Sequence, residues 1–250
     1  MSQFEGRRRD TDFPSEHEIA ILHVDDDAAF TELVATFLER SDDQFAVETA
    51  VNATEALDRL DGDTFDCVVS DYDMDERNGI EFLRVVRREY PELPFILYTG
   101  KGSEEVASEA ISAGVTDYLQ KGTGTSQYQV LANRIRNAVE RNRVQSQLTD
   151  RERHLSLFFE RSPLGVIEWD ESLNVRRMNE TAEELLGYDE TDLRGESWTT
   201  IVPEELHDEL EEAHTAFDQK SGQFQHVNEN VRADGERILC EWHNQVISDP

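Results

Sequence analysis

The sequence predicts two modules: a doubly wound α/β domain on a five-stranded parallel sheet, and an α+β domain with an antiparallel sheet. Three observations carry this. The chain has 250 residues, enough for two ordinary domains. Between residues 18 and 125, short apolar runs alternate five times with helically spaced apolar residues. Beyond Pro163 the rhythm changes to strands with turn signals and two long alternating stretches.

In the first module "IAILHV" (19–24) reads as a buried strand. Phe30, Leu33, Val34, Phe37 and Leu38 then repeat at one helical face. "FAVETA" (45–50), "FDCVVS" (65–70), "PFILYT" (94–99) and "TDYLQ" (116–120) are the further strands. Helical segments lie near 53–60, 79–90 and 103–113, the last followed by Gly114 as a stop. Five βα units in about 108 residues imply a parallel sheet covered on both faces.

Residues 1–17 read as a disordered polar arm, 18–125 as the first domain, 126–160 as a helical linker, and 161–250 as the second domain. Leu131, Ile135 and Ala138 share one face of the linker helix, and residues 127–160 are read as a place where two protomers pair. Thr149 and Glu152 have capping-box spacing, predicting a second helical start near Asp150. In the second domain "LGVIEW" and "NVRRM" are strands joined at Asp170–Ser172, followed by the helix "ETAEELLGY" and a longer one after Pro203. Stretches 223–232 and 236–247 form a hairpin through Asp234-Gly235.

Against 24 basic residues stand 55 acidic ones, a formal charge of −31, and only Lys101, Lys121 and Lys220 are lysines. Such a charge repels phosphate backbones and anionic lipid, which argues against nucleic acid and membrane as partners. It suits a salt-rich, halophilic cytoplasm. Cys67 and Cys240 lack any metal-ligand spacing and read as reduced thiols. No apolar run has the length of a membrane span.

Sites in open parallel sheets form at the carboxyl ends of the strands. Asp25 and Asp26 follow the first strand, Asp71 the third, Thr99 ends the fourth and Lys121 follows the fifth. Runs of acids arise readily at this composition, and loops favour Asp for turns. Acids, a hydroxyl and one of three lysines at successive strand ends are harder to obtain without function. The set suits phosphoryl transfer. Clustered carboxylates call for a hard cation such as Mg²⁺, with Asp71 as nucleophile, Lys121 as a point charge for phosphate and the Thr99 hydroxyl as donor.

Together "ILHVDDD", "VVSDYDM", "LPFILYTG" and "AGVTDYLQKG" resemble the receiver domain of two-component response regulators, a flavodoxin-like fold, over about 18–125. The resemblance implies that Asp71 accepts a phosphoryl group from a histidine kinase or phosphotransfer protein. It implies Mg²⁺ held by Asp25, Asp26, Asp71 and the backbone carbonyl of Asp73, with Thr99 and Tyr118 as a switch pair. Two departures stand out. Gly122 takes the place of the family's proline after the lysine, and Asp75 that of the proline after the methionine. "DYDMD" also matches the opening of haloacid-dehalogenase-like phosphatases, but no acidic pair follows Lys121 at a later strand end.

"FERSPLGVIEWDESLNVRRMNETAEELLGYDETDLRGESWTTIVP" and "DGERILCEW" resemble a PAS domain, with Asn179 after its second strand. The family's fifth, central strand is expected beyond "VISDP". No residue names its ligand: the reactive cysteine motif of light-sensing relatives is absent, and His207 and His214 read as solvated rather than haem-binding. The order receiver–PAS implies either a phosphorelay protein signalling through the linker or the input half of a hybrid sensor histidine kinase. No kinase core lies in these residues, so only self-phosphorylation and dephosphorylation of the receiver are expected.

Overall fold

In the computed structural model, residues 18–100, 103–211 and 223–245 are described. The chain divides into two compact units, with the boundary after Leu148.

Unit one carries strands β1 (Ile19–Val24), β2 (Phe45–Ala50), β3 (Cys67–Ser70), β4 (Phe95–Thr99) and β5 (Asp117–Gln120). They form one sheet in the order β2-β1-β3-β4-β5, with every pair parallel. The intervening helices are α1 (Ala28–Ser41), α2 (Ala53–Gly62), α3 (Gly79–Glu89) and α4 (Glu104–Ser112). Alternation along the strands builds two cores. Ile21, Cys67, Val69, Ile96 and Tyr98 face one side with Val34 and Leu38 of α1. Leu22, Val68, Phe95 and Leu97 face the other with Phe82, Leu83 and Ala110. Strands buried on both faces explain why they read as continuous apolar runs rather than as alternating ones.

Local chemistry fixes each helix start. Asp27, the third acid of "DDD", is the N-cap of α1 and accepts from the Ala29 and Phe30 amides. Asn52 and Ser103 cap α2 and α4, and Asn78 with Glu81 forms a capping box on α3. Leu33, expected on the buried face of α1, is 45% exposed, because the sheet covers only the stripe of Thr31, Val34 and Leu38.

Helix α5 runs from Ser126 to Glu160 without interruption. The second start expected near Asp150 is not there. Residues 140–155 hold neither Gly nor Pro, so nothing competes with continuing the helix. Its first turns are core rather than spacer: Tyr128, Leu131, Ala132, Ile135, Ala138 and Val139 are buried against β1, β3 and β4. Arg143 ties the helix to Asp66 at 2.9 Å and to the Glu18 carbonyl at 2.8 Å.

Unit two contains β6 (Ile167–Trp169) paired antiparallel with β7 (Val175–Met178), then α6 (Glu180–Leu186) and α7 (Glu190–Leu193). The hairpin β8 (Gln223–Val231) and β9 (Arg237–Gln245) follows. Among the described residues β6–β7 and β8–β9 are separate two-stranded sheets. The hairpin turn is longer than a bare Asp-Gly pair: Arg232 N–H donates to the Glu236 carbonyl, and Gly235 takes the left-handed conformation at φ +83°. After Pro203 the described residues form a 3₁₀ turn and the start of a helix, and His214 lies outside them.

The core of this unit joins Val175, Met178, Ala182, Leu186, Leu193 and Ile201, with Ile238 and Trp242 packed on it from β9. Asn179, fully buried after β7, makes four hydrogen bonds. Its Oδ1 accepts from the Val166 and Ala182 amides, and its Nδ2 donates to the Phe159 and Leu164 carbonyls. Every valence of the amide is used. One side chain thereby fastens the end of α5, the lead into β6 and the first turn of α6.

Candidate functional site

The strand-end residues are held in the frame of the sheet, because its hydrogen bonding continues one residue past each strand. Asp25 N–H donates to the Ala50 carbonyl, Asp71 N–H to Val24 and Lys121 N–H to Thr99. Their side chains therefore project from one rim. Lys121 Nζ lies 2.6 Å from Asp25 Oδ2 and 2.9 Å from Asp71 Oδ1. Asp25 and Asp71 are buried, at 2% and 6% exposure. Two buried carboxylates beside a half-buried ammonium imply strong mutual dependence.

The other predicted residues fall around this trio in different ways. Asp26 is exposed beside Asp25. Asp73 directs its own amide to Asp71 Oδ2 at 2.9 Å, which fixes the carboxylate's rotation. Asp71 Oδ1 is buried and has no aligned hydrogen bond among the described residues; Lys121 Nζ meets it as an ion pair. Thr99 is fully buried at the end of β4. Tyr118 stands apart from the trio. It pairs with Leu97 along the ladder, packs on the opposite core with Ala110, and leaves its buried hydroxyl without a hydrogen-bond partner among the described residues.

Burial pushes the Asp25 carboxyl above its ordinary range, and the Lys121 hydrogen bond offsets part of that. Burial works against the Lys121 charge as well, but its hydrogen bond to Asp25 and the negative charges of Asp25 and Asp71 outweigh this and raise its pKa. Two residues of β1 and α1 crowd the lysine from below. His23 is fully buried, and burial, with the Lys121 charge adding to it, lowers its pKa to about 3, so the ring is neutral. The Phe30 ring centroid lies 4.4 Å from Lys121 Nζ.

Sequence reasoning missed Gly79, the first residue of α3. A Cβ there would sit 2.1 Å from the Asp71 carbonyl oxygen and 2.7 Å from Leu97 Cδ1. Only glycine lets α3 approach the Asp71 backbone this closely. It also missed Phe30, which apolar periodicity assigns to the core.

Among the described residues, no three His, Cys, Asp or Glu side chains are grouped for a metal. The donor set nonetheless suits Mg²⁺, which takes one or two carboxylates and keeps several waters. The donors are all oxygen, and Asp71 Oδ1 is a buried acceptor short of donors. In unit two, His207 is tethered rather than solvated: its Nε2 lies 2.9 Å from the Val202 carbonyl, and the ring packs edge-on to Trp198. Cys67 and Cys240 are both free thiols, and burial raises their pKa. No helix among the described residues is long and apolar enough to cross a membrane.

Comparison with known proteins matches residues 21–133 to the response regulator receiver domain and residues 153–250 to the PAS fold. Over 101 residues the chain is 36% identical to the transcriptional regulatory protein FixJ of Bradyrhizobium diazoefficiens, covering 40% of this chain and 48% of that protein. It is 36% identical over 102 residues to the response regulator protein FleR of Pseudomonas aeruginosa, covering 40% of this chain and 21% of that one. The chain thus spans between about a fifth and a half of the length of these relatives. A receiver domain structure from Clostridium thermocellum aligns with 51% of the chain and 98% of its own length, at 28% identity and a TM-score of 0.46.

Proposed function

From a chain that belongs to the response regulator receiver family over residues 21–133 and to the PAS family over 153–250, we propose a phosphorelay signalling protein whose acceptor is Asp71. The observation that carries this is the convergence of Asp25, Asp71 and Lys121 at the carboxyl rim of the sheet. An oxygen of the Asp71 carboxylate attacks the phosphorus of a kinase or phosphotransfer phosphohistidine. The P–O bond forms as the P–N bond breaks, and the electron pair returns to the imidazole nitrogen.

The Asp73 amide holds Asp71 in the rotamer that presents the other oxygen. Lys121, already charged and within reach, trades an Asp25 contact for a phosphoryl oxygen. Thr99 donates its hydroxyl to another oxygen. Asp25, Asp26, Asp71 and the Asp73 carbonyl would hold Mg²⁺, which when bound screens the carboxylates from the incoming phosphoryl group. Tyr118, whose buried hydroxyl has no hydrogen-bond partner among the described residues, is the partner that responds to the movement of Thr99. Phosphorylation biases two receiver states only through such differential contacts.

The phosphorylation state passes along α5 toward the PAS module in this reading. Val144, Leu148, Leu155 and Phe158 are exposed at 66, 51, 69 and 67% and follow heptad spacing, with Arg151 in the seam. They support pairing of two protomers through 127–160. Light scattering should give a dimer that Leu148→Glu with Leu155→Glu converts to a monomer; a monomeric parent chain would end that part of the reading.

The acceptor is tested by intact mass after incubation with acetyl phosphate and Mg²⁺. One phosphoryl group per chain, absent from Asp71→Asn, is expected. Phosphate release from small phosphomonoesters without labelling would favour a phosphatase instead.

A further inference from the structure

We propose that Phe30 is a positioning residue for the phosphoryl chemistry at Asp71, its ring face holding the Lys121 ammonium in place. This rests on the acceptor reading above and deepens it. The ammonium is shared between Asp25 at 2.6 Å and Asp71 at 2.9 Å, and the Phe30 ring centroid lies 4.4 Å from it. Cations within about 6 Å of a ring centroid are attracted by its negative face. Tyr98 stands behind, 5.9 Å from the same Nζ.

The ring is itself held. Phe30 stacks on Tyr98 with centroids 6.3 Å apart and planes 26° from parallel, and the neutral His23 ring lies 6.3 Å away on another side. Tyr98 is fully buried, and its hydroxyl donates to Gln127 Oε1 at 2.7 Å, in the first turn of α5. The Lys121 backbone is held by its amide on the Thr99 carbonyl, so what remains to be fixed is the side chain. Gly122 follows it, and an added Cβ there would touch only Gln127 Cβ at 3.6 Å, an ordinary contact. The ammonium itself is met by Asp25, Asp71 and the Phe30 ring.

An aromatic face suits that task chemically. It stabilises the cation and excludes water, yet supplies no oxygen to compete with the phosphoryl group for the lysine's protons. A carboxylate or amide in its place would hold the ammonium back. The plain alternative is that Phe30 merely fills space beside α1, and leucine would then serve as well.

The full chain separates the two. Labelling by acetyl phosphate with Mg²⁺ is timed for wild type, Phe30→Leu and Phe30→Tyr. In parallel, NMR of ¹³C-lysine-labelled protein follows the lysine ε-methylenes, of which the sequence has only three sets. Phe30→Leu should slow labelling about three- to tenfold and remove the upfield ring-current displacement of the Lys121 signal, and Phe30→Tyr should restore both. Labelling of Phe30→Leu at the wild-type rate would overturn the proposal, as would failure of tyrosine to rescue a folded protein. If wild type is not labelled at all, the positioning role falls with the acceptor reading. A Lys121 signal still displaced in that case places the fault in the reaction and not in the contact.

Discussion

Two buried polar clusters, one in each unit, look alike in burial and differ in completeness. Asn179 is fully buried and spends both donors and both acceptor positions on four backbone groups. Asp25 and Asp71 are nearly as deep, with Lys121 half-buried between them, but among the described residues they leave Asp71 Oδ1 short of a hydrogen bond and one positive charge between two negative ones. A satisfied amide has nothing left to offer a ligand, so it is architecture. An under-satisfied charged cluster still has valences to offer a ligand, which is the role proposed for it. Burial of polar groups alone does not mark a site; converging charges that are left incompletely paired are a better sign.

The comparison breaks most sharply at the two positions that fix each cluster. Gly79→Ala puts a methyl against the Asp71 carbonyl, so we expect a loss of about 3 kcal/mol or more in urea unfolding together with impaired labelling. Asn179→Ala strands several buried backbone groups and should cost about 3 kcal/mol, seen as early unfolding of residues 149–245, while Asp71 is still labelled at its normal rate. If Asn179→Ala instead slowed labelling with stability unchanged, the architectural assignment would be wrong.

Lys121→Met sharpens the contrast. Without metal it leaves two buried carboxylates facing each other and should destabilise by about 2 kcal/mol, with labelling more than tenfold slower. Added Mg²⁺ should recover stability but not the rate; recovery of both would show that the lysine only balances charge.

The smallest effect concerns a carboxylate outside both clusters. Asp42, the residue after α1, is held below its ordinary range by hydrogen bonding to the Arg136 guanidinium and then to the Gln44 amide. Its folded pKa is depressed, so its contribution is present above the unfolded value near 4 and is lost as pH falls through the folded one. Asp42→Asn should flatten the acid limb of the stability curve slightly and leave neutral-pH labelling unchanged; an unaltered limb would mean the pair contributes nothing.

Much of the site was legible in the sequence because strand ends in a parallel sheet project to one rim. Asp25, Asp71, Thr99 and Lys121 needed only correct strand limits, which continuous apolar runs supply. Asp27 was harder to sort from its neighbours, since a capping acid and a site acid share one letter and differ only in which amides they face. Gly79 and Phe30 were not readable. Close approach of α3 to Asp71 is a fact of packing, and periodicity cannot distinguish a ring filling a core from one turned toward a lysine. The unbroken α5 was missed because capping-box spacing is a local preference, overridden where no Gly or Pro interrupts the flanking residues. The longer hairpin turn was missed because Asp-Gly marks a turn without fixing its length.

The most direct test of the central claim is to locate the phosphoryl group itself. After reaction with acetyl phosphate and Mg²⁺, borohydride reduction and peptide mass spectrometry should place a single modification on Asp71 and none on Asp25 or Asp26. A modification at any other residue, or none on a chain that remains folded, would contradict the account.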